Sequence, residues 1–171
     1  MIKSTNITIK ELNFSYLKNF LLLGLFITGN IILPAICHYI PNGGIMLLPM
    51  FFFTLIAAYK YGIKAGLITA ILSPVINFMI FGMPAIEFLP AILIKSSSLA
   101  LIAWFVAKKT HKLSILLLAF VVVSSQTFAF LLDGFIFLPN FNLAFTNLLI
   151  SIPGMLIQIF AGYFIIKKLC K

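Results

Sequence analysis

Lys95 is an ammonium placed in an apolar run, Pro90-Ala91-Ile92-Leu93-Ile94-Lys95-Ser96-Ser97-Ser98, whereas the other eleven of the twelve basic residues, all lysines, flank such runs. A charge at that depth in hydrocarbon costs roughly 3 kcal/mol on insertion scales, so it needs a compensating partner. Two chemistries meet the need. The long stem can carry the ammonium to the surface or into an ion pair, with Glu87 or Asp133 as the acid. Alternatively, Lys95 lines a site that opens outward and meets an anionic or carbonyl-bearing group, with Ser98 on a nearby face one turn later. In such a site a cationic Lys95 favours a carboxylated or otherwise anionic small molecule.

Other polar residues recur at helical spacing. Asn147, Ser151, Gly154 and Gln158 fall within about 40° of one another on one helix, Gln126 and Asp133 align on a second, and Ser73 and Asn77 on a third. Hydrogen bonds between helices account for part of this, at about 0.6 kcal/mol each. Asn77 and Asp133 lie near Lys95 in depth and are the better site candidates. Glu87 is either a site carboxylate or a solvated loop acid.

Catalytic patterns are missing. The chain has no His-Glu-x-x-His, P-loop, Gly-x-Ser-x-Gly or dinucleotide fingerprint, so the expectation is a protein without enzymatic chemistry and without a cofactor. Any ATP-driven role needs a separate ATPase chain. His38 and His111 fall at opposite ends of the predicted helices, as do Cys37 and Cys170, so neither a metal site nor an internal disulfide is expected.

The elements that position these groups follow from composition. A chain of 171 residues that is 63% hydrophobic and 9% charged cannot cover its apolar surface in water, and predicts an integral membrane protein. The formal charge of +9 would suggest nucleic acid in a soluble protein. Here the lysines sit singly or in short groups beside apolar runs and arginine is absent, which points to anchoring at the bilayer surface and to no nucleic acid.

At about 20 residues per crossing, helices are predicted at about 20–38, 45–60, 63–81, 88–107, 113–132 and 144–166. Turn signals separate them at Pro41-Asn42-Gly43-Gly44, Tyr61-Gly62, Gly82-Met83-Pro84, Asp133-Gly134 and Pro139-Asn140. The first run lacks a small-residue cleavage site and reads as a retained helix. Lys3, Lys10 and Lys18 precede the first helix; Lys60 and Lys64 follow the second; Lys108, Lys109 and Lys112 follow the fourth; Lys167, Lys168 and Lys171 follow the sixth. The intervening boundaries hold Glu87 and Asp133. The positive-inside rule therefore puts both termini in the cytoplasm. With no repeat or linker, residues 1–171 are expected to form one all-α bundle of about six transmembrane helices, joined through small residues and buried polar groups.

Four segments resemble a known family. They are Pro41-Asn42-Gly43-Gly44-Ile45-Met46-Leu47-Leu48-Pro49, the stretch from Tyr61-Gly62 through Gly66 to Ser73-Pro74 and Asn77, then Phe81-Gly82-Met83-Pro84, and Leu89-Pro90 through Lys95. The chain looks like the substrate-binding S component of an energy-coupling factor (ECF) transporter, over residues 20–109 by motif and over the rest by topology. The resemblance implies a bacterial cytoplasmic-membrane protein that captures a vitamin or similar micronutrient at the extracellular face. A transmembrane T component and two cytoplasmic ATPases then drive uptake, ATP being used only by those ATPases. It also implies a pocket in which the segment around Asn42 and Gly43 lies over Lys95, Gln126, Asp133 and Asn147. Gly24 and Thr28 stand where the family docks its T component on small residues of the first helix. No known substrate pattern is matched. The competing expectation is a six-helix membrane scaffold resembling a subunit of the bacterial cell-shape machinery, with Lys95 on a lipid or dimer face and no closed outward cavity.

Overall fold

Long apolar stretches become helix because only intrasegment hydrogen bonds satisfy a backbone that has no water around it. In a computed structural model of the chain, which describes residues 5–11, 17–37, 39–138 and 140–170, the strand β1 (Thr5–Asn6) precedes α1 (Leu17–Cys37), the short α2 (Gly43–Leu47) and the long α3 (Pro49–Phe81). There follow α4 (Leu89–Thr110), the strand β2 (Lys112–Leu113), α5 (Ile115–Leu132), a π-helical turn (Asp133–Phe137), α6 (Phe141–Ile150) and α7 (Ile152–Leu169). Among the described residues five helical stretches are long and apolar enough to cross a membrane: Leu17–Cys37, Gly43–Phe81, Leu89–Thr110, Ile115–Phe137 and Ile152–Leu169. Large side chains such as Phe20, Leu25, Met79, Phe105 and Phe164 are exposed around the outside, while Asn30, Thr54, Ser73 and Gln158 are buried. Lipid, unlike water, solvates that distribution. The chain is a helical, multi-pass membrane protein.

The longest helix is two helices in one. Gly62 has φ +87° and ψ 179°, a backbone region open essentially only to glycine. At that point the chain reverses. The side-chain amide of Asn30 donates to the Thr54 hydroxyl at 3.1 Å and to the Ser73 hydroxyl at 3.4 Å. In a straight helix those two hydroxyls would be roughly 28 Å apart. The arms 49–61 and 63–81 therefore lie against each other, as the Tyr61-Gly62 signal predicts.

Small side chains let the arms and α4 approach. A Cβ added to Gly66 would lie 2.5 Å from that of Ala58 and 3.3 Å from that of Ala100. On the other side, α1 turns Leu23, Phe26, Asn30, Pro34 and Cys37 inward. This is an i, i+3, i+7 stripe facing α3. Gly29 meets the Phe53 ring so closely that an added Cβ would be 2.7 Å from its Cδ2 atom.

Three boundaries differ from the hydropathy reading. The predicted helix 144–166 is split into α6 and α7 at Ser151. Pro153 has no N–H to offer the Leu149 carbonyl, so the ladder is interrupted there. The segment 45–60 opens with a separate α2, because Leu48 adopts a left-handed conformation (φ 49°) between Leu47 and Pro49. The helix predicted from 113 begins at Ile115, because Lys112 and Leu113 pair antiparallel with Asn6 and Thr5. Among the described residues this small ladder is the exception to otherwise helical secondary structure. Lys3, His38, Pro139 and Lys171, which the sequence places at flanks and joints, lie outside the described residues.

The ladder belongs to a strap. Residues 5–11 cross one end of the bundle: Ile7 N–H donates to the His111 carbonyl at 2.9 Å, Lys10 N–H to the Lys60 carbonyl at 3.0 Å, and the Lys60 ammonium to the Thr8 carbonyl at 3.1 Å. From within the bundle, the Tyr59 hydroxyl donates to the Lys112 carbonyl at 2.9 Å. Lys60, Lys112 and the C-terminal end of α7 gather here. The strap end is thus the basic end.

Candidate binding cavity

At the opposite end the helices enclose a cavity of about 560 Å³. That is within the roughly 300–1,000 Å³ usual for small-molecule pockets. Its floor and walls come from the first half of α4 (Ala91, Ile92, Lys95, Leu99), the last half of α5 (Ser125, Gln126, Ala129, Phe130), Asp133, and α6 with Ser151 (Ala144, Asn147, Leu148). The segment from Ile40 to Ile45, the start of α3, Pro34, Pro84 and Phe88 complete it.

Local sequence explains how the 40–48 segment reaches this place. Ile40 N–H donates to the Cys37 carbonyl at 3.0 Å and Gly43 N–H to the Ile40 carbonyl at 2.9 Å, which folds the chain back at the end of α1. Gly43 lies against the Cys37 carbonyl, where no Cβ fits. Asn42 adopts the left-handed conformation (φ 56°) that asparagine tolerates better than most residues. Farther on, Gly154 abuts the Leu47 backbone and the Gln158 side-chain amide donates to the Leu48 carbonyl at 3.4 Å. One polar stripe thus divides its work: Asn147 and Ser151 line the cavity, and Gly154 and Gln158 dock α2 and the start of α3.

The charged centre is a pair. Lys95 Nζ lies 2.5 Å from Asp133 Oδ1, with the two side chains 17% and 13% exposed. Asp133 opens the π-turn that ends α5, and Gly134 behind it accommodates the Phe141 ring, which an added Cβ would approach to 2.7 Å. Phe141 packs edge-on against Phe135 at 4.8 Å and Phe130 at 5.8 Å. This aromatic cluster holds the turn that carries the carboxylate. Of the two acids the sequence offers, Asp133 therefore takes the lysine. An anionic small molecule was expected from the positive charge of Lys95, and that charge is held by Asp133.

Around the pair, the carboxamides of Asn42, Gln126 and Asn147 line the cavity and have no side-chain hydrogen-bond partner among the described residues. Each brings an acceptor oxygen and two donor hydrogens. The hydroxyls of Ser125 and Ser151 donate within their own helices, to Val122 and Leu148 at 2.9 and 2.7 Å. The remaining wall is mainly apolar, including Phe51, Phe88 and Phe130. Such a surface can bury an apolar body and read a polar head.

Five of the eight residues predicted for the site, Asn42, Lys95, Gln126, Asp133 and Asn147, meet at this cavity. Three do not line it. Asn77 is buried in the second arm of α3, away from the wall. Glu87 is exposed in the connection before α4. Ser98 sits roughly 80° round α4 from the face that carries Phe88, Lys95 and Leu99, and its hydroxyl donates to the Lys95 carbonyl at 2.7 Å. Ser96 is buried with its hydroxyl unpartnered, so the serine run does not solvate the ammonium through any hydrogen bond among the described residues. Ser125 and the lining aromatics were missed, although Ser125, Ala129 and Asp133 share one i, i+4, i+8 face with Gln126 beside it. Gly24 and Thr28 are exposed on α1, and nothing lies within 4 Å of a Cβ added to Gly24.

No family model matches this chain, and no match to it is found among curated proteins or solved structures.

Proposed function

We propose that this chain is the substrate-binding S component of an ECF-type importer in the bacterial cytoplasmic membrane. On this reading the two arms of α3 cross separately, giving six crossings, and the basic strap end with both termini faces the cytoplasm, in keeping with the positive-inside rule. The cavity then opens on the extracellular side and receives a vitamin or similar micronutrient, which the protein carries without chemical change. A transmembrane T component and two cytoplasmic ATPases supply the driving force. The exposed face of α1 around Gly24 and Thr28 is available to the T component.

The observation that carries the reading is the cavity itself, about 560 Å³, with Lys95, Asp133 and three carboxamides that have no side-chain hydrogen-bond partner among the described residues, on an otherwise mainly apolar wall. A membrane scaffold has no use for such a set at the end of its bundle. Native mass spectrometry of the protein released from nanodiscs tests it. A bound species of small-molecule mass, lost on Lys95→Ala, is the expected result. Spectra holding only the bare chain and lipid adducts, from cells grown in rich medium, would count against the reading.

A further inference from the structure

We propose that the cavity selects molecules with no net charge, neutral or zwitterionic, and that Asp133 is the residue that sets this selectivity. The inference rests on the reading that the cavity receives a small molecule.

Among the described residues only two that line the cavity are charged, Lys95 and Asp133, and they hold each other at 2.5 Å. The wall that these residues form is therefore neutral in sum. An anion that approaches Lys95 also approaches the Asp133 carboxylate. To take the ammonium for itself it must strip Asp133 of its partner in a poorly hydrated site, which is the costly way to break an ion pair. No other acid can step in. The chain has three acidic residues, and of the remaining two Glu87 is exposed off the cavity wall while Glu11 lies on the strap at the far end of the bundle. A cation meets the mirror problem, because capturing Asp133 strands Lys95.

A neutral molecule leaves the pair intact and binds through Asn42, Gln126 and Asn147. These carboxamides donate and accept equally well and so suit an uncharged head of amide or similar type. A zwitterion can instead split the pair, its anionic group on Lys95 and its cationic group on Asp133, so that no buried charge is left alone. Both routes exclude net charge, and Asp133 cancels a selectivity for anions that Lys95 alone would impose.

The test uses four probes sharing one indole body: indole-3-propionamide (neutral), tryptophan (zwitterion), indole-3-propionate (anion) and tryptamine (cation). Binding to the full chain in nanodiscs of zwitterionic lipid is measured by equilibrium dialysis, with empty discs subtracted. The wild-type protein is expected to bind the amide or tryptophan at least about tenfold tighter than either ion, tenfold being about 1.4 kcal/mol. Asp133→Asn should move the preference to propionate, Lys95→Met should move it to tryptamine, and the exchange Lys95→Asp with Asp133→Lys should restore the wild-type order. Equal or tighter wild-type binding of either ion overturns the inference while leaving the cavity's role as a binding site standing. Binding of none of the four at millimolar concentration overturns that role and the inference with it. The wild-type order decides the matter even if a single variant fails to fold.

Discussion

Gly154 of α7 and Leu47 of α2 meet backbone to backbone: a Cβ on Gly154 would lie 2.6 Å from the Leu47 carbonyl carbon and 2.7 Å from its oxygen. One turn farther along α7, Gln158 donates to the Leu48 carbonyl at 3.4 Å. The segment that walls the cavity is thus held by one face of α7, which follows directly on Asn147 of α6 and Ser151 at the break between the two helices. Cavity shape and α7 packing are mechanically coupled.

Gly154→Val should therefore act on both. Forcing a branched side chain into that contact costs about 1–3 kcal/mol by overpacking, and it displaces α2 from the cavity. Thermal unfolding in detergent should report the loss of stability, and native mass spectrometry the loss of any retained small molecule. Unchanged stability and retention would show that α2 is not held there.

Gly62→Ala tests the reversal in α3. The added Cβ meets only Glu11 and Ile9 at 3.5 and 3.7 Å, ordinary contact distances, so the penalty lies in the backbone at φ +87°. It should destabilise the fold by about 1–3 kcal/mol. Gly24→Ala, in open space on a helix, is the control and should be neutral or stabilising by up to about 1 kcal/mol. Parallel melting curves decide between them.

Asn30→Leu should unpin α1 from both arms of α3. Asn30 donates to Thr54 and Ser73, and its Oδ1 accepts from Phe53 N–H at 3.1 Å. Leucine leaves these buried groups without that partner, at an expected cost of about 1–3 kcal/mol. Ala58→Cys paired with Gly66→Cys would distort the arms, so the cleaner readout is protease protection of the Gly62 turn, which should fall in the Asn30 variant.

If the chain is an importer subunit as proposed, Gly24→Leu with Thr28→Leu separates capture from delivery. Neither residue lines the cavity, and both are exposed on α1. Retention of a small molecule and thermal stability should stay as in the parent, while co-purification with a T component and cellular uptake should drop at least about tenfold, a coupling loss of about 1.4 kcal/mol. Uptake at the parental rate would place the docking surface elsewhere.

Much of this architecture is legible in the chain. The Gly62 reversal, the Pro41-Asn42-Gly43-Gly44 turn and the polar stripe that runs from α6 into α7 all announce themselves locally, through residue types that permit a conformation or repeat at helical spacing. The strap was legible too and was passed over: Asn6-Ile7-Thr8-Ile9-Lys10 alternates with period two, and in the fold Ile7 is buried while Thr8 and Lys10 are exposed. Asn30 announced itself only as a lone polar residue in an apolar run, which does not name its partners. Asn77 and Ser98 show the limit of depth arguments, since each lies at a suitable height on a helix but on the wrong face for the cavity.

What the sequence by itself determined is membrane residence, the placing of helices and the segregation of lysines to alternate joints. Transfer free energies and insertion charge rules act residue by residue along the chain, so they can be summed without knowing who neighbours whom. Only the tertiary structure decided that Lys95 meets Asp133 and not Glu87, and that three carboxamides from distant segments share one cavity. Those outcomes depend on the rotation of α4, on the π-turn that aims Asp133 and on the fold of the 40–48 segment against α7. None of these is a sum over single residues.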